Sequence, residues 1–293
     1  MKEFDLARKA FSRSDGVALI LVLMITGVTG LLILGIGLGA QGQVERAKAL
    51  VDRANASFAV RSDEAELAFV LLTTDWVRPT DAESTPESPV YPRPDWNFRG
   101  KDFSLNGARV KIQDPQGLFV MPQQPDGAAG LEVLFTRFLG MPESRASDAA
   151  RRFRQDMADP SWVALQSLHD LQFLGLITAD ERKRLEPFTT VTPTLAFNPL
   201  SVPDELMDVW FQDSIKAGLL ELRERGDLNT ESYIRVTGSD PVSLSFYPGP
   251  NLEVQVSRTV GKTTVTRGAH WLIAPYDSEP LRVVARRQFA TPG

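Results

Sequence analysis

The side chains that most often carry acid–base or metal chemistry are sparse in this sequence. It contains two histidines, His169 and His270, and no cysteine. Neither H-x-x-x-H nor H-E-x-x-H spacing occurs, so no predicted helix presents a histidine pair to a metal ion. Asp170 follows His169, but one acid beside one histidine does not define a site. We therefore predict that both histidines are structural or surface residues.

Motifs for nucleophilic catalysis and phosphate binding are also missing. The sequence contains neither G-x-S-x-G nor G-x-x-x-x-G-K-[ST]. Gly35, Gly37 and Gly39 do not form G-x-G-x-x-G, and they follow no predicted strand. With 37 acidic residues some carboxylates must lie close together, so a glycosidase-like pair stays open without a motif to support it. We predict that the protein is not an enzyme.

Acidic residues in the second half of the chain are the candidates for a metal site. Calcium needs several oxygen ligands, and no EF-hand-like D-x-D-x-D run is present. We expect these acids to cap helices or face solvent, and the metal ligands stay unassigned. The acids considered are Asp156, Asp159, Asp204, Glu205 and Asp208.

One apolar stretch, Gly16 to Ala40, must position the rest of the chain. It holds no charged residue, and its 25 positions would span about 37 Å as a helix, enough to cross a bilayer. Apolar residues continue beyond it at intervals of three, four or seven, and no proline occurs before Pro79. The pattern predicts one long helix that leaves the membrane as an amphipathic rod. Its predicted apolar face is Ala47, Leu50, Ala54, Phe58, Ala65, Ala68 and Leu72.

The flanking charges predict how this helix is oriented. Four basic residues precede the span, which favours a cytoplasmic N-terminus. The net charge of -5 argues against a nucleic-acid partner. A cleaved secretory signal has a shorter apolar region, so it fits less well than a plain single-pass anchor. Gly35 and Gly39 form a small-xxx-small pair that allows close helix packing in lipid.

The remainder of the chain predicts an α+β fold with an antiparallel sheet. A proline-rich loop follows Trp76, and Asn106-Gly107 marks a hairpin between two strands. Short helices follow, with a T-x-x-E capping box at Thr178 and a stop at Gly226. Strands return from residue 243 to the end, with a turn at Gly261-Lys262.

The opening of the chain resembles a family. A hydrophilic leader ending in Gly16, followed directly by an apolar helix that becomes amphipathic, is similar to the class III signal of type IV pilins and type II secretion pseudopilins. The resemblance implies that prepilin peptidase cuts between Gly16 and Val17. The leader ends Ser14-Asp15-Gly16, where a basic residue often precedes the glycine.

Leu21 lies where most members of this family carry a glutamate, at the fifth position after the cut. A carboxylate in a bilayer is costly unless it is paired. In the family its partner is thought to be the N-terminal amine of the neighbouring subunit nearer the tip, so a subunit lacking it can occupy the tip. This absence resembles the K-type minor pseudopilin. As the alternative, Leu21 is one more leucine in an ordinary anchor.

Three later stretches also resemble the K type: Val110 to Asp114 followed by Gly117 and Phe119, residues 167–191, and Phe197-Asn198-Pro199. The family's asparagine-rich motifs are replaced here by LFVMP and FNPLSVP. The resemblance implies a pilin-like sheet interrupted by an inserted helical domain, and it makes calcium a possible ligand. The implied division is a leader at 1–16, a transmembrane helix at 17–40, an amphipathic helix at 41–75, a loop and first strands at 76–125, the helical domain at 126–226 and closing strands at 227–293.

These observations lead to one expected function and two alternatives. We expect a minor pseudopilin at the tip of the type II secretion pseudopilus, in the bacterial inner membrane with its C-terminal domain in the periplasm. Its expected partners are other minor pseudopilins, prepilin peptidase and the inner membrane. A minor type IV pilin and a membrane-tethered periplasmic enzyme are the alternatives.

Overall fold

The structure of the chain, a computed structural model, describes residues 3–74, 95–124, 129–194, 196–238, 243–275 and 277–292. Most of the predicted proline-rich loop after Trp76 lies outside these residues. The described part is α+β, with a long N-terminal helix and an antiparallel sheet.

The first element is a single helix, α1, over Glu3–Thr73. Its 71 residues correspond to a rod about 107 Å long. No proline interrupts it. The hydroxyls of Thr26 and Thr29 each donate a 2.7 Å hydrogen bond to the backbone carbonyl one turn earlier. The predicted continuity of the apolar and amphipathic stretches is confirmed.

A five-stranded antiparallel sheet packs on the C-terminal half of α1. Its order is β1-β2-β5-β6-β7, and it includes both predicted hairpins. Asn106 and Gly107 take φ values of 50° and 82° between β1 and β2, as their turn requires. The strands are β1 (Phe103–Leu105), β2 (Ala108–Gln113), β5 (Asn251–Val260), β6 (Thr263–Ile273) and β7 (Leu281–Pro292).

Between β2 and β5 the chain is mainly helical and has a hydrophobic core separate from that under the sheet. Two short parallel strands, β3 (Phe119–Val120) and β4 (Thr189–Thr190), are paired within it. The helices are α2 (Ala129–Val133), which continues into a π-helical turn (Leu134–Phe138), α3 (Glu143–Met157), α4 (Leu168–Phe173), α5 (Ala179–Leu185), α6 (Met207–Trp210), α7 (Asp213–Arg225) and α8 (Thr230–Thr237).

The local signals in this helical region act as expected, with two differences. Thr178 and Glu181 form the predicted capping box, and Gly226 closes α7 with a φ of 75°. However, α8 lies beyond the predicted end of the helical region at 226. The strand predicted from Ser243 is reduced to one bridge, in which Leu244 pairs with Phe197.

Candidate assembly interface on the long helix

The apolar part of α1 contacts nothing else in the described part of the chain. Val17 is 64% exposed and Leu21 is 57% exposed. A Cβ added to Gly35 or Gly39 would meet no atom within 4 Å. The helix is long and apolar enough to cross a membrane, judged by length and composition. The structure thus places Gly16, Val17, Leu21, Gly35 and Gly39 on one helix, which is uncovered from Val17 onward, and it gathers no other described residues around Val17, Leu21, Gly35 and Gly39.

The C-terminal half of α1 meets the sheet through residues that belong only in small part to the predicted apolar face. Ala56, Val60, Leu67 and Leu71 are fully buried at intervals of four, seven and four, facing β5 and β6. The apolar face predicted from the sequence includes Phe58, which is 69% exposed, but also Ala68 and Leu72, which pack partly buried against the core under the sheet. The sequence did not indicate which residues meet the sheet, because both faces carry apolar residues at helical spacing and only the position of the sheet distinguishes them.

Acidic residues on α1 fix its docking on the sheet. Glu64 pairs with Arg267 of β6 at 2.8 Å, and both side chains are mostly buried. Asp63 lies 3.7 Å from Arg258 of β5. Burial raises the pKa of Asp63, and the neighbouring Arg258 partly offsets this by lowering it. Separating the charges of a buried ion pair costs the protein much stability. These contacts therefore resist sliding or rotation of the helix on the sheet.

The opposite face of α1 is apolar and has no partner among the described residues. Val44 is 67% exposed, Val51 57% and Phe58 69%. They recur at intervals of seven, and Ala47 and Ala54 lie three residues after the first two, also exposed. We call the face formed by Val44, Ala47, Val51, Ala54, Phe58, Arg61 and Ala65 the seam. At 100° per residue it points away from the buried face, so the sheet cannot cover it.

A second notable site lies where the helical region joins the sheet. Asp114, the residue after β2, is fully buried. Its carboxylate accepts hydrogen bonds from the Asn198 amide at 3.1 Å, the Ser201 hydroxyl at 3.0 Å and the Gln116 backbone N–H at 3.0 Å. Burial raises the pKa of Asp114 to about 6, although these donors and the Gly249 backbone pull it down. A carboxylate held in this way serves as a structural tie between distant segments.

All three stretches that resemble the K type meet at this junction. Gly117 packs so closely on Ser201 that a Cβ there would overlap the Ser201 carbonyl. Phe119 of β3 pairs with Thr189 of β4, from the second stretch. The Asn198 backbone N–H donates to the Gln116 carbonyl at 3.1 Å. The sequence showed each stretch separately, but nothing in their spacing indicated that they are in contact.

The residues considered for chemistry remain dispersed. His169 is exposed on α4, while His270 is half-buried in β6, where burial lowers its pKa. Asp208 pairs with Lys216 at 2.5 Å, and Asp159 accepts the Ser161 backbone N–H at 2.7 Å. Asp204 pairs with Arg223 and lies 4.0 Å from the Arg99 guanidinium.

Within the described ranges, no group of three or more acidic or histidine side chains is placed to hold a metal ion. The helical region has a groove of about 650 Å³, whose described lining includes Phe197, Trp210, Phe211 and Tyr233. No Asp, Glu, His, Lys or Arg is part of that lining. The described lining of the groove is made of apolar and uncharged polar side chains.

No known protein-family model matches the chain, and no curated protein matches it.

Proposed function

We propose that the protein is a pilin-like assembly subunit of the bacterial inner membrane, a minor pseudopilin of the K type at the tip of a type II secretion pseudopilus. One observation carries the proposal: a single helix leaves its apolar stretch, residues 17–40, uncovered and holds a sheet on its C-terminal half. A subunit that moves from the bilayer into a filament needs this arrangement, because the same uncovered surface can face lipid first and neighbouring helices afterwards.

In this proposal each part of the chain has a physical role. Residues 17–40 hold the subunit in the inner membrane after prepilin peptidase cuts between Gly16 and Val17. The sheet and the helical region between β2 and β5 lie in the periplasm, and the helical region caps the filament. Leu21 requires no neighbouring amine above it, because it has no carboxylate to neutralise. Export of folded proteins depends on the filament that this subunit helps to initiate.

The N-terminus of the mature protein tests the class of protein. Mass measurement of the chain purified from a bacterium with an active prepilin peptidase should show that it begins at Val17, often methylated in this family. A chain that retains Met1 would contradict the proposal and favour a plain anchor. Substituting Gly16→Val should block the cut, whereas Ser14→Ala should leave it intact, because only the first change affects the cleaved bond.

The place of the subunit in secretion is tested separately. Deleting the gene should abolish export of the type II substrates of that organism, and expression of the full chain should restore it. Loss of surface pili with normal secretion would instead assign the protein to a type IV pilus.

A further inference from the structure

The turn between β1 and β2 carries two residues that can react with each other. Leu105 pairs with Ala108, so Asn106 and Gly107 form a two-residue turn, with φ values of 50° and 82°. Both residues are exposed. Because Gly107 has no side chain, its backbone nitrogen is open to approach from the Asn106 side-chain amide. The turn is therefore a place where the chain can change covalently.

The reaction at this turn is deamidation, and its only co-reactants are hydroxide and water from the solvent. The Gly107 nitrogen gives its proton to hydroxide and bonds to Cγ of Asn106, the Cγ–Nδ2 bond breaks, and the amide nitrogen leaves as ammonia. Attack within one chain is favoured because the reacting groups are already neighbours. Water then opens the imide ring at either carbonyl, so the product is aspartate or isoaspartate.

In the folded chain, α1 holds this turn through its acidic residues. The Asn106 side-chain amide donates a hydrogen bond to the Glu66 carboxylate at 2.5 Å. The Arg258 guanidinium donates to the Asn106 backbone carbonyl and lies 3.7 Å from the Asp63 carboxylate. The Asn106 side chain must break its bond with Glu66 before it can turn toward the Gly107 nitrogen. Docking of the turn on α1 therefore slows the reaction.

The product of the reaction cannot make the same contacts. A carboxylate at position 106 has no proton to donate to Glu66, and it adds a negative charge beside Glu66 and Asp63. Those two carboxylates are already close, because Glu66 raises the pKa of Asp63. Like charges at such short range repel. Isoaspartate also lengthens the backbone of a two-residue turn, whose twist has to match that of the strands.

We propose that Asn106 is a site of spontaneous deamidation that docking on α1 suppresses, and that the product opposes renewed docking of the turn. Each time the turn leaves Glu66, Asn106 is exposed to the reaction. Once the reaction has occurred, release of the turn from α1 is favoured permanently, because the amide cannot form again without an amine donor. The proposal does not rest on the function proposed above.

The sequence allows the site to be measured in isolation. Trypsin cleavage after Lys101 and Arg109 releases residues 102–109, in which Asn106 is the only amide side chain. The full chain is incubated in detergent micelles at mildly alkaline pH, with and without urea. Mass spectrometry of this peptide then follows the replacement of the amide by a carboxyl group. The folded chain should react more slowly than the chain in urea.

Variants on α1 show whether the contact with Glu66 provides the protection. Glu66→Ala should react about fivefold faster than the parent chain, the factor expected when one hydrogen bond is lost. Glu45→Ala removes an exposed acid elsewhere on α1 and should react at the parent rate. Circular dichroism shows whether each variant keeps its fold during the incubation.

A variant that mimics the product tests the second half of the proposal. Asn106→Asp should lower the Tm, and backbone strain does not explain this because aspartate adopts positive φ much as asparagine does. Combining it with Glu66→Gln exchanges the amide and the carboxylate, so the hydrogen bond can form with its donor and acceptor reversed. The exchanged pair should recover most of the lost Tm. This comparison also decides the matter if Glu66→Ala does not fold.

Other outcomes would overturn the proposal. If the folded chain reacts as fast as the chain in urea, or if Glu66→Ala and Glu45→Ala react alike, docking on α1 does not protect Asn106. If Asn106→Asp keeps the parent Tm, or if the exchanged pair recovers none of the loss, the product does not oppose docking. None of these results depends on cleavage at Gly16 or on secretion, so failure of the proposed function would be seen separately.

Discussion

The Asn198 side-chain amide donates a hydrogen bond to the Asp114 carboxylate at 3.1 Å, joining residues 84 positions apart. Asp114 directly follows β2 of the sheet, and Asn198 belongs to the segment that leads out of β4. Both side chains are fully buried. This contact ties the helical region to the sheet on which α1 is docked, so the two hydrophobic cores are linked through a polar connection.

Stability should depend on pH through Asp114. Burial raises its pKa from 3.8 to about 6, so the folded protein holds the proton more tightly than the unfolded chain does. The stabilisation from this group is full below about pH 4 and is lost as the pH rises through 6. The difference between the two pKa values corresponds to about 3 kcal/mol of unfolding free energy.

Urea unfolding of the wild type and of Asp114→Asn between pH 4 and pH 7.5 measures this contribution. The difference in unfolding free energy between the two proteins should shift in favour of the variant as the pH rises. Asp213→Asn is the matched control, because that side chain is exposed at the surface. A difference that does not change with pH would show that Asp114 has an ordinary pKa.

Gly117→Ala should destabilise the junction. Its φ is not positive, so the backbone accepts alanine, but the new Cβ would overlap the Ser201 carbonyl. Overpacking against the backbone costs about 1–3 kcal/mol or more. Gly42→Ala is the control, because a Cβ there meets nothing within 4 Å and alanine favours a helix by about 1 kcal/mol. Thermal unfolding should show a lower Tm for the first variant alone, and equal Tm values would contradict the close contact.

The Glu64–Arg267 pair should contribute more than an exposed pair of similar length. Both its side chains are mostly buried, so removing one charge takes the strongest described ion pair from the other buried charge, at about 3–5 kcal/mol. The Glu231–Arg235 pair on α8 is shorter, at 2.6 Å, but exposed, and its loss should cost under about 1 kcal/mol. Double-mutant cycles with Glu64→Gln and Arg267→Met, and with Glu231→Gln and Arg235→Met, compare them. Equal coupling energies would show that burial does not strengthen the first pair.

Leu21→Glu should impair the protein in the membrane. A carboxylate costs about 2.5–3.5 kcal/mol at the centre of a spanning helix and less toward its end, where Leu21 lies. A subunit at the proposed tip has no neighbouring amine above it to offset this cost. Export by a strain that carries the variant should fall, while Leu21→Met should export normally. Improved export with the glutamate would contradict the tip position.

Local signals in the sequence predicted local structure well. Asn106-Gly107 requires positive φ at both positions, and Thr178 with Glu181 satisfies the free N–H groups of a helix start. The turn and the helix start depend only on residues close to them in the chain, so both can be predicted directly from the sequence. The continuity of α1 is of the same kind, because only a proline or an equivalent break would have interrupted it.

Contacts between distant segments could not be predicted in this way. Asp114, Asn198 and Ser201 carry no pattern that marks them as partners, since their pairing depends on how β2 and the segment after β4 pack together. The whole fold determines long-range pairs of this kind, and a single sequence does not indicate which distant residues will be in contact.

The sequence alone determined that a long, uninterrupted helix begins with a stretch apolar enough to span a membrane, because helix continuity and hydrophobicity are local properties. Only the tertiary structure decided what each face of that helix does. Val60 and Phe58 are both apolar and two residues apart, yet the sheet buries the first and leaves the second exposed. The physical reason is that amphipathicity marks surfaces able to be buried, whereas the position of the packed sheet determines which surface is buried and which remains available to a partner.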